Sequence, residues 1–189
     1  MSLEVKESKV SPLPVSLDVT EAAVLTCTGK VLDEIYAQMI IDACHKKELP
    51  LLPSRLTQKQ KEYIGADQVY VYCQEDSDIQ RWTDGKLWAP SKIVGNFLHY
   101  HELYRRYSPY QKVFCAESNK CMPKFHPQDI QDLLEFKQNI APSIGAGEIC
   151  VRLKGLFVYK ASGLLKKTYS MKVGGKTYHL VAYEAKFPQ

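Results

Sequence analysis

At 189 residues, 45% of them hydrophobic, the chain can bury one core or two small, mutually dependent ones. It holds no apolar run of about 18 residues and no charged-then-apolar N-terminal signal, which argues against membrane insertion and secretion. The net charge of +4 is modest but unevenly placed: residues 1–48 carry eight Asp or Glu against five Lys, while 149–183 hold seven basic residues and no acid. Those seven are Arg152, Lys154, Lys160, Lys166, Lys167, Lys172 and Lys176. One-sided charge in a strand-rich segment is the expected footprint of a phosphate-contacting surface. Six cysteines (Cys27, Cys44, Cys73, Cys115, Cys121, Cys150), most of them in apolar segments, read as reduced core thiols of an intracellular protein.

In chain order, residues 1–19, with Pro12 and Pro14, read as a flexible tail. Ala22–Thr28 reads as a short strand closed by Gly29. Leu32, Ile35, Tyr36, Met39, Ile40 and Ala43 follow helical spacing and predict the core face of a helix ending near His45-Lys46-Lys47, where cations suit the macrodipole. Thr57 with Gln60 fits a capping box, predicting a short helix from Gln58 to about Ile64 with Arg55, Lys59 and Lys61 near its start. Gln68–Cys73 alternates strictly and predicts a strand covered on both faces.

Arg81-Trp82-Thr83-Asp84-Gly85-Lys86-Leu87-Trp88 holds both tryptophans around a Thr-Asp-Gly turn signal. It reads either as a cation-presenting loop aimed at a polyanion or as a hairpin turn between two core rings. Ile93, Phe97, Tyr100 and Tyr104 then have helical spacing up to Arg105-Arg106, with Gly95 inside. Residues 108–147, rich in Pro and closed by Gly145-Ala146-Gly147, read as a connecting region with one helix from Pro127 to Gln138 carrying Ile130, Leu133, Leu134 and Lys137 in line. The remainder reads as β: 149–161, 163–173, a Gly174-Gly175 hairpin turn, and 176–183.

Enzyme chemistry finds little support. Cys115, Cys121 and His126 match no paired zinc-knuckle spacing and lack a fourth ligand nearby. His99 precedes His101-Glu102, whose H-E-x-x-H pattern fails at Arg105, and no nucleophile elbow, phosphate-cradling Gly loop or separated carboxylate pair is present. The sequence predicts neither catalysis nor a cofactor or metal.

Taken together, several blocks resemble the WOPR-domain family of fungal transcriptional regulators. They are Gly29 with Asp33 and Ala43; Leu49-Pro50 and Arg55-Leu56-Thr57; Val69-Tyr70-Val71-Tyr72; Arg81–Gly85 followed by Trp88–Lys92 and Phe97–Glu102; Leu165–Ser170; and His179–Tyr183. The chain departs from the family pattern at Gln60-Lys61, at Ala66-Asp67 and Asp78 (where glycine is usual at 67 and 78), and at Gln80, Ala89 and Lys92. The resemblance implies an α+β fold of two interleaved sub-domains with antiparallel sheets and a few short helices, folding as one DNA-binding unit. Its halves would be 20–107 and 148–187, joined by the variable region 108–147.

The resemblance further implies a nuclear regulator that binds A·T-rich double-stranded DNA as a monomer, alongside transcriptional co-regulators and without a membrane partner. Arg81 would enter the minor groove from a DNA-binding loop that also counts Trp82, Asp84 and Gly85 among its contacts, with Trp82 and Trp88 buttressing it. Arg55, Lys59, Lys61, Lys86, Lys92, Lys166, Lys167 and Lys172 would meet phosphates, and Thr83, Thr168 and Ser170 would donate hydrogen bonds. The residues leave a second reading open, a protein-interaction module whose basic sheet binds an acidic partner with residual DNA affinity. Ser108 and Thr168 also lie beside cations, where a phosphate would cancel positive charge.

Overall fold

The computed structural model describes residues 25–139, 149–152 and 155–185. The predicted tail 1–19, the 145–147 breaker and Lys154 lie outside them. The elements are β1 (Cys27–Thr28), α1 (Glu34–His45), α2 (Gln58–Glu62), β2 (Gln68–Cys73), α3 (Gln74–Ser77), β3 (Lys92–Val94), β4 (Phe97–His101), β5 (Leu103–Tyr107), β6 (Gln111–Cys115), β7 (Lys120–Lys124), α4 (Pro127–Asn139), β8 (Ile149–Arg152), β9 (Gly155–Tyr159), β10 (Leu164–Val173) and β11 (Lys176–Ala185).

The fold is α+β, with every sheet antiparallel. The main sheet has six strands in the order β1-β2-β11-β10-β4-β3. The C-terminal hairpin β10–β11, turned through Gly174-Gly175 as its sequence predicts, thus lies between strands of the first half of the chain. A three-stranded sheet, β5-β9-β8, and a two-stranded ribbon, β6-β7, complete the strands.

Alternation along β2 divides the core. Val69, Val71 and Cys73 face α1, where Ala37, Ile40, Ile41 and Cys44 pack with Tyr169, Tyr178, Leu180 and Ala182. Tyr70 and Tyr72 face the other way, joining Leu52, Leu56, Ile64, Ile79, Val181 and Tyr183, with Trp82 and Trp88 packed against them. The capping box of α2 forms as expected: the Gln60 amide donates to the Thr57 hydroxyl (3.2 Å), and the Thr57 amide donates to the Gln60 side chain (2.9 Å).

Three expectations are corrected. The core face of α1 is rotated: Leu32, Ile35 and Met39 are 78%, 69% and 61% exposed, while Ala37 and Cys44 turn inward beside Ile40. Ala37, Ile40, Ile41 and Cys44 form a second apolar stripe at helical spacing, and it is this one that meets the sheet. The predicted helix through Ile93–Arg106 is instead β3, β4 and β5. Gly95, at φ 58°, opens a two-residue turn that pairs Val94 with Phe97, and Ile93-Val94 form the β-branched run leading into it. The connecting region, finally, contains the β6–β7 ribbon as well as its helix, turned at residues 116–119 with Asn119 at φ 49°.

No heavy atom lies within 4 Å of a Cβ built on Gly95, so its cost of substitution is purely conformational. Gly95→Ala is expected to destabilise the chain by roughly 1 kcal/mol, read as a lower urea midpoint with an unchanged m-value.

Candidate nucleic-acid interface

The loop between α3 and β3 is extended, and its side chains alternate. Arg81, Thr83 and Leu87 point to solvent, whereas Trp82, Asp84, Lys86 and Trp88 turn partly or wholly inward. Gly85, at φ 73°, makes the left-handed step of the turn, and the Lys86 amide donates to Asp84 Oδ1 (3.1 Å) to close it. The turn signal read from Thr-Asp-Gly is therefore real, but the loop is no hairpin: its flanks pair with different partners.

Asp84 is the hub of this loop. Its carboxylate, 4% exposed, accepts from Trp88 Nε1 (2.9 and 3.0 Å), from Lys166 Nζ (2.9 Å) and from the Tyr183 hydroxyl (2.7 Å). Tyr183 in turn accepts from Trp82 Nε1 (2.6 Å), so both indoles are tied to one carboxylate, one directly and one through the phenol. The Lys166 ammonium lies 4.2 Å from the centre of the Trp88 ring and 4.9 Å from that of Tyr100. Trp82 stacks on Tyr72 at 5.8 Å. Burial pushes the Asp84 pKa up, but the Lys166 charge and the bonds from Trp88, Lys166 and Tyr183 outweigh it and hold the carboxyl below the ordinary aspartate range. Burial lowers the Lys166 pKa against the pull of Asp84, and burial raises the Tyr183 phenol.

Around this base, Arg55, Arg81 and Thr83 share one small pocket with Leu56, Ile79 and Trp82. A Cβ on Gly85 would lie 3.7 Å from Cδ of Lys61, so α2 runs alongside the loop. The structure therefore gathers Arg55, Lys61, Arg81 and Thr83, with Lys59 exposed on α2, Lys86 half-buried in the loop and Lys92 exposed on the edge strand β3. Lys172 is exposed at the far end of β10, and Thr168 is half-buried between Val181 and Leu98.

Other predicted contacts are corrected. Asp84 and Lys166 are interior groups engaged with each other and are closed to a phosphate. Lys167 projects from the opposite face of β10, pairing with Glu184 (2.7 Å) and donating to the Val31 carbonyl (3.1 Å). The Ser170 hydroxyl lies 2.6 Å from Nδ1 of His179, whose Nε2 faces Gln74 Oε1 at 3.0 Å, so the serine proton is engaged within the sheet. With Lys160 on Glu102 and Lys176 on Asp76, four of the seven cations in 149–183 are matched by carboxylates from elsewhere in the chain or from the end of β11. Four of the lysines read from that segment as unopposed are thus answered by carboxylates distant in sequence.

Tyr183 and Tyr100 were not singled out as loop supports by sequence reasoning. A carboxylate flanked by two tryptophans was the available signal that something buried must answer Asp84. Cys115 pairs with Lys120 and Cys121 with Phe114, so the two thiols face opposite sides of the ribbon, and His126 stacks on Tyr110 at 4.1 Å. The trio does not converge. Glu102, 6% exposed, accepts from Lys160 Nζ and the Leu164 amide, an interior structural role.

Comparison with known proteins adds an independent finding. The profile of the Gti1/Pac2 family matches residues 26–185. The chain is 30% identical over 175 residues to global transcription regulator sge1 of Gibberella fujikuroi, covering 84% of this chain and 51% of that protein. It is 28% identical over 169 residues to cAMP-independent regulatory protein pac2 of Schizosaccharomyces pombe, covering 86% and 72%. The chain thus spans about half the length of the Gibberella regulator it matches. Among solved structures, a fungal protein shares 27% identity with a TM-score of 0.53, covering 86% of this chain and 74% of that one. The WOPR domain of Candida albicans Wor1, solved with a 13 bp duplex, has the same fold at 22% identity and a TM-score of 0.52, covering 86% and 77%.

Lys166→Met, which strands the Asp84 carboxylate, is expected to cost about 3 kcal/mol in urea unfolding, and Asp84→Asn/Lys166→Met to recover most of that loss. Because Asp84 is depressed in the folded state, its contribution is complete above the ordinary value of 3.8 and disappears as pH falls through the depressed one. Stability measured against pH should accordingly show an acid limb that is shallower in the double variant.

Proposed function

The chain belongs to the Gti1/Pac2 family, and on that premise we propose that it is the DNA-binding module of a fungal transcription regulator acting in the nucleus. The observation that carries this reading is the pairing of an exposed Arg81 with a loop base held from within by Asp84. A guanidinium on a pre-ordered loop enters a narrow groove without first losing loop entropy. A·T-rich minor grooves are narrow and strongly negative, which suits an inserted arginine. The duplex held by the similarly folded Wor1 WOPR domain supports the same class of ligand.

In this reading Arg81 specifies and its neighbours position. Arg55, Lys59, Lys61, Lys86 and Lys92 meet flanking phosphates, Thr83 donates a neutral hydrogen bond, and Lys172 and Thr168 lie outside the central contact. Lys92 offers charge without the planar fork of an arginine and so adds attraction more than register. The halves 20–107 and 148–187 act as one unit on DNA as a monomer, and co-regulators engage other surfaces.

Titration against A·T-rich and G·C-rich duplexes at two salt concentrations tests this. Arg81→Ala should lose roughly 1 to 3 kcal/mol of A·T preference, whereas Lys92→Ala should weaken all sequences about equally and reduce the salt slope by about 1. An A·T preference left intact in Arg81→Ala would refute the minor-groove assignment.

A further inference from the structure

Once Lys166, Lys167 and Lys176 of β10 and β11 are matched with carboxylates, the largest local excess of positive charge lies elsewhere. Residues 103–126 contain Arg105, Arg106, Lys112, Lys120 and Lys124 against Glu117 alone, leaving 20 basic and 20 acidic residues in all the rest. This one tract therefore equals the whole net charge of +4. All five cations are exposed, and none enters an ion pair with another described residue.

Their setting is ordered. The Arg105 guanidinium donates to the Tyr107 hydroxyl (2.9 Å), and that of Arg106 lies 5.4 Å from the centre of the Phe157 ring. Lys124 lies 5.8 Å from the centre of the Tyr110 ring, which stacks on His126 at the start of α4 and so fixes the base of the ribbon. The ribbon carries cations on both faces: Lys120 and Lys124 share one with Val113 and Met122, and Lys112 shares the other with Phe114. Phe114, Met122 and Val113 are 61%, 50% and 44% exposed, apolar groups standing among the lysines.

The tract also begins at the candidate interface. The Leu103 amide donates to the Leu87 carbonyl (2.7 Å) and the Ala89 amide to the His101 carbonyl (2.9 Å), so β5 starts where the Arg81 loop ends. Five residues of β5 carry the chain about 15 Å onward, close to half a helical turn of duplex. A two-stranded ribbon is one of the two protein elements that a major groove admits, and apolar side chains there meet thymine methyls.

Resting on the DNA reading above, we propose that the β6–β7 ribbon is a second duplex contact, lying in the major groove beside the minor-groove site of the loop, with Arg106, on the face of β5 that packs with Ala89, on the phosphates between them. The ribbon enlarges the footprint from the loop's few base pairs to about a helical turn and a half. Its lysines supply affinity that depends on flanking length, and leave the A·T preference to Arg81.

The test uses the full chain and two duplexes: one holding only an A·T-rich core of about one turn, and the same core flanked by about one turn on each side. Lys112→Ala/Lys120→Ala/Lys124→Ala should bind the long duplex about tenfold more weakly than the parent chain, with a log–log salt slope shallower by roughly 2 to 3. On the short duplex it should match the parent within about twofold, and the corresponding triple Lys→Arg variant should retain long-duplex affinity. Equal loss on both lengths, or no loss on either, overturns the proposal. So does loss of polyglutamate binding with duplex binding unchanged, which would assign the ribbon to an acidic protein. A parent chain that binds neither duplex defeats the DNA reading itself; intact A·T preference with an indifferent ribbon variant defeats only the ribbon.

Discussion

A carboxylate taken out of water must be answered by charge or by hydrogen bonds, and Asp84 is answered by both. The loop conformation and the depth of Lys166 both follow from that one requirement. Apolar packing draws Trp82 and Trp88 inward, and the carboxylate with its partners fixes where their N–H groups point. The exposed side of the loop needs no contact of its own, since its rigidity comes from underneath.

The same requirement joins the halves of the chain. Asp84 meets Lys166 across 82 residues, and Trp82 meets Tyr183 across 101. Lys166 and Tyr183 are direct cross-strand partners on β10 and β11, so their hairpin delivers both supports in one register. A slip of one residue would turn them to the α1 side and present Lys167 instead. Sheet order and loop order are thus a single constraint, with β11 against β2 and β10 against β4 holding the register from both sides.

Much of this was legible in the residues. The alternation of Gln68–Cys73, the Gly174-Gly175 turn and the Thr57–Gln60 box are local codes, and each formed as written. What was not legible depends on partners distant in sequence. The acid-free segment 149–183 looked unopposed because Asp76, Asp84 and Glu102 lie in the other half of the chain. The two stripes of α1 are equally apolar, and only the sheet beneath decides which is buried. Ile93, Phe97, Tyr100 and Tyr104 fell at helical spacing by coincidence, while Gly95-Asn96 after a β-branched pair was the better signal. For the site, the loop itself could be read from the sequence, but not that Asp84 would be spent inside it, nor the division between side chains that face out and those that turn in.

The interleaved strand order also sets a timetable for synthesis. β2 and β4 leave the ribosome as open edges, and their partners β11 and β10 begin at Lys176 and Leu164, some 100 and 60 residues later. At about 5–20 residues per second, β2 waits on the order of 5 to 20 seconds with one side unpaired. Over that interval its Val-Tyr-Val-Tyr run is a template for any other nascent strand. The chain is therefore most vulnerable to misassembly before its final hairpin emerges, and slowing translation after Cys73 would lengthen that exposure without altering a single native contact.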